Sequence, residues 1–127
     1  MTINDINVNL LNSINLCTTK NENEWEIKTG AKFENGKSIE IYLVNEGKKW
    51  YLTDKKATLK YMNTIYDLKA NDVKSCISAV IKIYGFYISG GELSYELENE
   101  NEVQKRVFDF IMCISQLANM YAFFDKP

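Results

Sequence analysis

Histidine is absent from this chain, and its one proline is the last of the 127 residues. Histidine is the usual general base and the commonest metal ligand of enzymes. Any catalysis would therefore depend on carboxylates, lysine, tyrosine or cysteine, and no spacing of these residues matches a catalytic or metal-binding motif. The sequence thus favours a non-enzymatic protein without a metal or other cofactor.

Long hydrophobic runs and a basic, apolar N-terminal leader are also missing. No apolar run approaches the roughly 20 residues that a membrane-spanning helix needs. The three cysteines, Cys17, Cys76 and Cys113, are odd in number and lie within or beside apolar helical patterns. Free thiols of this kind behave as small buried hydrophobes in reducing compartments. We therefore expect a soluble cytoplasmic protein that makes no membrane contact.

The composition is that of one ordinary globular domain, with 46% hydrophobic and 25% charged residues. We find no repeat, low-complexity tract or linker, which predicts a single α+β domain over residues 1–127. The formal net charge is only −2. A charge this small argues against a broad basic surface that coats nucleic acid.

Alternating apolar and polar residues predict a three-stranded antiparallel meander in the first half of the chain. Its strands are expected near residues 25–28, 39–44 and 48–53, and a first helix is expected over residues 4–16. Asn35 and Gly36 tolerate positive φ, which predicts a type I′ turn between the first two strands. Trp50 and Leu52 should face the core, and Tyr51 should face the opposite way.

Helical periodicity begins after Thr53 and Asp54, whose side chains can cap a helix that starts at Lys55. This helix should extend to about residue 70, and a second should run from residue 71 to a left-handed cap at Gly85. Gly90 and the following glycine predict a second hairpin. A last helix should span residues 101–121. The predicted order is α-β-β-β-α-α-β-β-α, with helices packed on an antiparallel sheet.

An acidic segment near the second hairpin is the favoured protein-binding site. It has five carboxylates and no basic residue, and an acidic edge of this kind could fill a basic groove on a partner. The alternative is that these residues solvate a loop and favour the N-terminus of the last helix. The acidic segment consists of Glu92, Glu96, Glu98, Glu100 and Glu102.

A lysine cluster surrounds the third strand and the following helix start, and aromatic residues are interleaved with it. Lysines with aromatics can grip a nucleic-acid strand through phosphate neutralisation and base stacking. The alternative is that the aromatics belong to the core and the lysines protect strand ends. The lysine cluster consists of Lys48, Lys49, Lys55, Lys56 and Lys60.

The stretch Tyr51-Leu52-Thr53-Asp54, followed by Thr58 and Leu59, resembles domain-of-unknown-function family 1828. The family pattern is an alternating strand and a turn, then Tyr-x-Leu-Thr-Asp-x-Gly-x-Thr-Leu leading into a helix. The resemblance covers roughly residues 25–121. One departure is Lys56, which stands where the family usually has glycine.

The resemblance implies small proteins of low-GC Gram-positive bacteria and their phages, and it carries no activity or catalytic residue. It implies a phage or prophage accessory protein that inhibits a host defence system, as anti-CRISPR proteins do, by covering a partner's surface. The expected partner is a host or phage protein, for example a nucleic-acid-binding defence protein. Two alternatives stay open: a nucleic-acid-binding or processing domain that uses the lysine cluster, and a homodimeric module like the secretion chaperones, which have a similar element order.

Overall fold

A computed structural model describes residues 15–18, 21–99 and 102–120, and it shows an antiparallel sheet combined with helices. The six strands of the sheet lie in the order β1-β2-β3-β4-β6-β5. They are β1 (Asn15–Thr18), β2 (Glu24–Lys28), β3 (Ile41–Glu46), β4 (Lys49–Thr53), β5 (Tyr87–Ser89) and β6 (Glu92–Leu97). The second hairpin joins the meander because β6 pairs with β4. The predicted α+β class is therefore confirmed.

The described helices are α1 (Ala57–Met62), α2 (Asn71–Tyr84) and α3 (Val103–Ala118). They cover the inner face of the sheet, where Ile41, Leu43 and Leu52 have no exposed surface. Alternate strand residues point to opposite faces, which is why the predicted apolar rows of β3 and β4 form the core. The helix α3 is the longest and places Phe110 and Ile114 fully inside.

The predicted first helix is wrong at its C-terminal end, which is the part that lies among the described residues. The first helix was expected to reach residue 16, but residues 15–18 form β1, which pairs with β2 from Asn15 opposite Lys28 to Thr18 opposite Trp25. The helical spacing of residues 3–14 did not carry into this segment because the free edge of β2 offered backbone partners. The rest of the predicted helix, residues 4–14, lies outside the described residues.

The predicted type I′ turn at Asn35-Gly36 is also wrong. Only Gly36 has a positive φ, of 88°, and its amide donates to the Phe33 carbonyl at 2.9 Å. The Phe33 amide donates to the Lys37 carbonyl at 2.8 Å. This longer connection suits a turn that ends in a left-handed glycine.

The helix after Thr53-Asp54 is shorter than predicted at both ends. Lys55 and Lys56 take left-handed conformations, with φ of 52° and 73°, so α1 begins at Ala57. It ends at Met62, where the Thr64 hydroxyl donates to the Tyr61 carbonyl at 2.6 Å and competes with the helical hydrogen bonds. Residues 63–70 therefore form turns.

The last two predicted helices agree better with the structure. The α2 helix begins at Asn71 and ends at Tyr84, and its C-cap Gly85 has the expected left-handed φ of 80°. The α3 helix starts two residues later and ends three residues earlier than expected. Cys113 is a buried free thiol, as predicted, while Cys76 is a free thiol that is only half-buried. Burial and the neighbouring Asp54 charge raise the pKa of Cys113 to about 12.

Candidate functional site

The outer face of the sheet, opposite the helices, carries tyrosines and carboxylates. Strand pairing aligns Tyr42 of β3 with Thr53 of β4, Thr53 with Ser94 of β6, and Ser94 with Tyr87 of β5. A second row aligns Val44 with Tyr51 and Tyr51 with Glu96, and Glu24 lies opposite Val44. These residues come from five strands, and the order of the strands brings them together.

A cavity of about 370 Å³ lies on this outer face. We call it the open-face pocket. Two tyrosines and three carboxylates contribute to its lining, and Lys55 is its one cation. Carboxylates beside aromatic rings suit a cationic side chain, because the rings and the acids attract the same charge. The lining residues are Glu24, Val44, Glu46, Tyr51, Thr53, Lys55, Tyr87, Ser89, Glu92 and Ser94.

Hydrogen bonds and an ion pair fix two of the acids at this pocket. The Thr53 hydroxyl donates to Glu92 Oε1 at 2.8 Å. Lys55 Nζ forms an ion pair with Glu24, and it also lies 4.5 Å from the centre of the Tyr42 ring. Lys55 therefore offsets the charge of Glu24, and the pocket keeps the excess negative charge of Glu46 and Glu92.

Burial is the main cause of a raised pKa in two tyrosines of this face, and nearby carboxylates add to it. Burial, together with the charges of Glu40, Glu26 and Glu24, raises the pKa of Tyr42 to about 12. Burial also raises the pKa of Tyr87, and Tyr51, Glu96 and Glu46 raise it further, while the charge of Lys49 acts to lower it. Both phenols therefore stay neutral and keep their hydroxyl donors at physiological pH.

The structure divides the acidic segment between different surroundings. Glu92 lines the open-face pocket, and Glu96 lies on the same face, 3.6 Å from Lys49 Nζ. Glu98 is exposed after the end of β6, and Glu100 lies outside the described residues. The strand alternation that separates Glu92 and Glu96 from Leu93 explains why those two share the outer face.

Glu102 has an internal role in holding the start of α3. It accepts hydrogen bonds from the Tyr95 hydroxyl at 3.0 Å and from the Asn99 and Glu98 amides. Burial acts to raise the pKa of Glu102, but these hydrogen bonds and the Arg106 charge outweigh burial and lower it. This side chain stabilises the connection between β6 and α3.

The lysine cluster is likewise spread over separate positions. Lys48 precedes β4 and Lys49 is its first residue, whereas Lys55 and Lys56 follow its other end. From Lys49 to Thr53, β4 spans about 13 Å, since it has four steps of about 3.3 Å. Lys60 is exposed on α1, and Lys55 is engaged with Glu24. The lysines therefore do not form one continuous patch.

Asp54 forms the junction between the sheet and α1, and it is fully buried. Its Oδ1 accepts hydrogen bonds from the Lys56 amide at 3.0 Å and the Leu93 amide at 2.9 Å. Its Oδ2 accepts one from the Thr58 amide at 2.9 Å. Asp54 thus accepts an amide hydrogen bond from the first turn of α1, as predicted, although Lys56 occupies the N-cap position and the helix begins at Ala57. The bond from Leu93 also links Asp54 to β6, which the sequence did not indicate.

Sequence reasoning missed the open-face pocket because its members are distant in the chain. Tyr51 was predicted to face away from the core, which is confirmed, but Glu24, Glu46 and Tyr87 were not selected. Their alternation with core residues was the available signal. The pairing of β4 with β6, which brings Glu92 to this face, is not visible in the local pattern.

Two further findings concern metals and membranes. In the described part of the chain, there is no group of three or more aspartate, glutamate or cysteine side chains close enough together to hold a metal ion. Among the same residues, none of the helices combines the length and hydropathy of a membrane span.

The family to which the sequence is similar is shown by a match over most of the chain. The sequence model of the family described as "Domain of unknown function DUF1828" matches residues 29–117, which is more than half of the chain. The chain belongs to this family. No curated protein and no solved structure matches the chain. The matched DUF1828 region includes β3 to β6, α1, α2 and most of α3, and with them most of the open-face pocket.

The structure explains the one departure from the DUF1828 pattern. Lys56, which the resemblance marks as a departure from glycine, has a φ of 73°, a conformation that glycine adopts without steric cost. The Lys56 amide is held in this conformation by its hydrogen bond to Asp54. A lysine at this position therefore carries backbone strain.

Replacing Lys56 by glycine should stabilise the protein. The left-handed conformation costs a non-glycine residue about 1–2 kcal/mol, and the greater chain entropy of glycine offsets part of the gain. We expect the free energy of unfolding to rise by about 0.5–1 kcal/mol in urea denaturation. The matched control is Lys60→Gly within α1, which should lower it by about 0.5–1 kcal/mol. Equal losses in both variants would contradict this explanation.

Proposed function

We propose that the protein is a non-enzymatic protein-binding module that covers a basic surface of a partner with the outer face of its sheet. The observation that supports this most is the open-face pocket, where Tyr51 and Tyr87 lie beside Glu46 and Glu92. Tyrosine is enriched where proteins bind each other, because its ring offers contact area and its hydroxyl offers a hydrogen bond. Glu96 extends the acidic surface beyond the pocket.

The chemistry of this face favours an arginine or lysine side chain of the partner as the central contact. A guanidinium can stack on a tyrosine ring and also pair with a carboxylate. The acidic field would speed the approach of a basic protein and orient it. Of the predicted acidic segment, the proposal retains Glu92 and Glu96 and adds Glu46.

Inhibition of a host defence protein is the more specific form of this proposal. Defence proteins that bind nucleic acid carry basic grooves, and an acidic face on a small domain could occupy such a groove. The partner would then be prevented from binding its nucleic acid. The carboxylates and tyrosines on the outer face of the sheet are the support for inhibition of a defence protein.

The test is affinity capture from a lysate of the bacterium that carries the gene, read by mass spectrometry. The face variant, Glu46→Lys with Glu96→Lys, should lose at least about 90% of a basic partner that the native protein captures. The control, Glu34→Lys with Glu98→Lys, has the same net charge but alters exposed acids outside the pocket. It should keep the capture, and thermal melts should show that both variants fold.

The outcomes distinguish the two levels of the proposal. Capture of a nucleic-acid-binding defence protein, lost only in the face variant, supports inhibition of defence. If the face variant loses capture of a basic partner that is not a defence protein, the result supports the protein-binding module but not inhibition of defence. Equal loss in the face and control variants would overturn the assignment to this face, since only overall charge would then matter.

A further inference from the structure

A second cavity, of about 610 Å³, lies between α2 and β5, away from the acids of the open-face pocket. We call it the β5 groove. Its wall is mainly apolar, with contributions from α1, α2 and the segment that follows α2. The lining residues are Leu59, Leu68, Lys74, Ile77, Ser78, Ile81, Lys82, Phe86, Tyr87 and Ile88.

The β5 groove follows the edge of the sheet. Among the described strands, β5 is at the end of the order and pairs only with β6. Tyr87 points to the outer face and Ile88 to the inner face, yet both line the groove. The groove therefore passes along the edge of β5. A strand edge offers backbone N–H and carbonyl groups to an extended peptide.

The polar rim of the β5 groove is basic. Lys74 and Lys82 are exposed on α2, no carboxylate lines the groove, and neither lysine forms an ion pair with any residue that the structure describes. Eight helical residues separate these lysines by about 12 Å. Side chains four residues apart on one face of a strand are separated by about 13 Å. Two acidic residues four positions apart on an extended peptide would therefore be about as far apart as Lys74 and Lys82, and each could pair with one lysine.

We propose that the β5 groove binds an extended segment of a partner protein, which adds a strand to the edge of β5. Apolar side chains of this segment fill the space beside Ile77, Ile81 and Phe86, and two acidic side chains pair with Lys74 and Lys82. The β5 groove and the open-face pocket share Tyr87, but their charged side chains differ: lysines line the groove, and carboxylates predominate in the pocket. The protein would then hold a basic surface on its sheet face and an acidic, apolar strand at its sheet edge.

The first experiment selects binders from a phage-displayed library of random linear peptides on the full chain. Enriched peptides should combine apolar residues at alternate positions with acids four residues apart. Binding of a fluorescein-labelled enriched peptide is then measured by polarisation. An unenriched library, or enriched peptides without acids, would overturn the proposal.

Matched charge-reversal variants test whether the peptide binds in the β5 groove. Lys74→Glu with Lys82→Glu should weaken the labelled peptide about tenfold or more, and Lys37→Glu with Lys69→Glu, the same charge change elsewhere, should leave it within about twofold. N-methylation of peptide amides that face β5 should also weaken binding about tenfold, since it removes strand hydrogen bonds. Unchanged peptide affinity in the Lys74→Glu, Lys82→Glu variant, or unchanged affinity of the N-methylated peptide, would overturn the proposed site. The groove variant should still capture the basic partner, so this proposal and the proposed function can fail separately.

Discussion

Replacing Asp54 by alanine is expected to lower the free energy of unfolding by about 4 kcal/mol, because three backbone amides, two of them in buried hydrogen bonds, lose their acceptor. These amides belong to Lys56, Thr58 and Leu93. Each unsatisfied buried donor costs about 1–3 kcal/mol, and the loss affects both α1 and the β6 strand. Urea denaturation followed by circular dichroism measures the change.

A milder substitution keeps this prediction testable if the alanine variant does not fold. Asp54→Asn keeps one oxygen but turns an amide toward one of the donors, so we expect a loss of about 2 kcal/mol. The control is Asp72→Ala, which removes an exposed carboxylate that accepts one hydrogen bond, from the Val73 amide. Its cost should stay near 1 kcal/mol or below. Similar costs for Asp54→Ala and Asp72→Ala would contradict the role of Asp54 as a junction.

Replacing Phe110 by alanine is expected to cost about 3–5 kcal/mol, the range for removing a large aromatic side chain from a core. Phe110 has 0% exposure, and its ring centre lies 4.9 Å from that of Phe86. The cavity would open between α3 and the segment that leads into β5. Thermal and urea unfolding measure the loss.

Phe108 provides a control on the same helix, two residues away. It is 64% exposed, so Phe108→Ala should change the free energy of unfolding by no more than about 0.5 kcal/mol. Met112, one turn further along α3, is also exposed, at 43%. A large, concentration-dependent cost of Phe108→Ala would contradict the expected small effect and would instead indicate burial against a second copy.

Local pattern was sufficient for much of the fold. The apolar alternation of β3 and β4 identified the core face, and Gly85 marked the end of α2. These features follow from the geometry of a few consecutive residues, which the sequence displays directly. The family was also recognisable from the stretch around Thr53-Asp54.

Local pattern failed where distant residues compete with it. The helical spacing before residue 16 gave no sign that Asn15 and the following residues would pair with β2. The spacing after Asp54 indicated a long helix, but the contacts of Tyr66 favour a turn, since its hydroxyl donates to carbonyls of Leu117 and Ala118 at 3.1 Å. These contacts with α3 act together with the local hydrogen bond of Thr64 to end α1 at Met62.

The sequence by itself determined the element types of the second half, the inner face of the sheet and the family of the chain. Only the tertiary structure decided which charged residues share a surface. Pairing of β4 with β6 places Glu92 and Glu96 near Tyr51, whereas Glu102 turns inward to Tyr95. The reason is physical: side-chain direction depends on neighbours in the chain, while a surface depends on strand order, which long-range pairing sets.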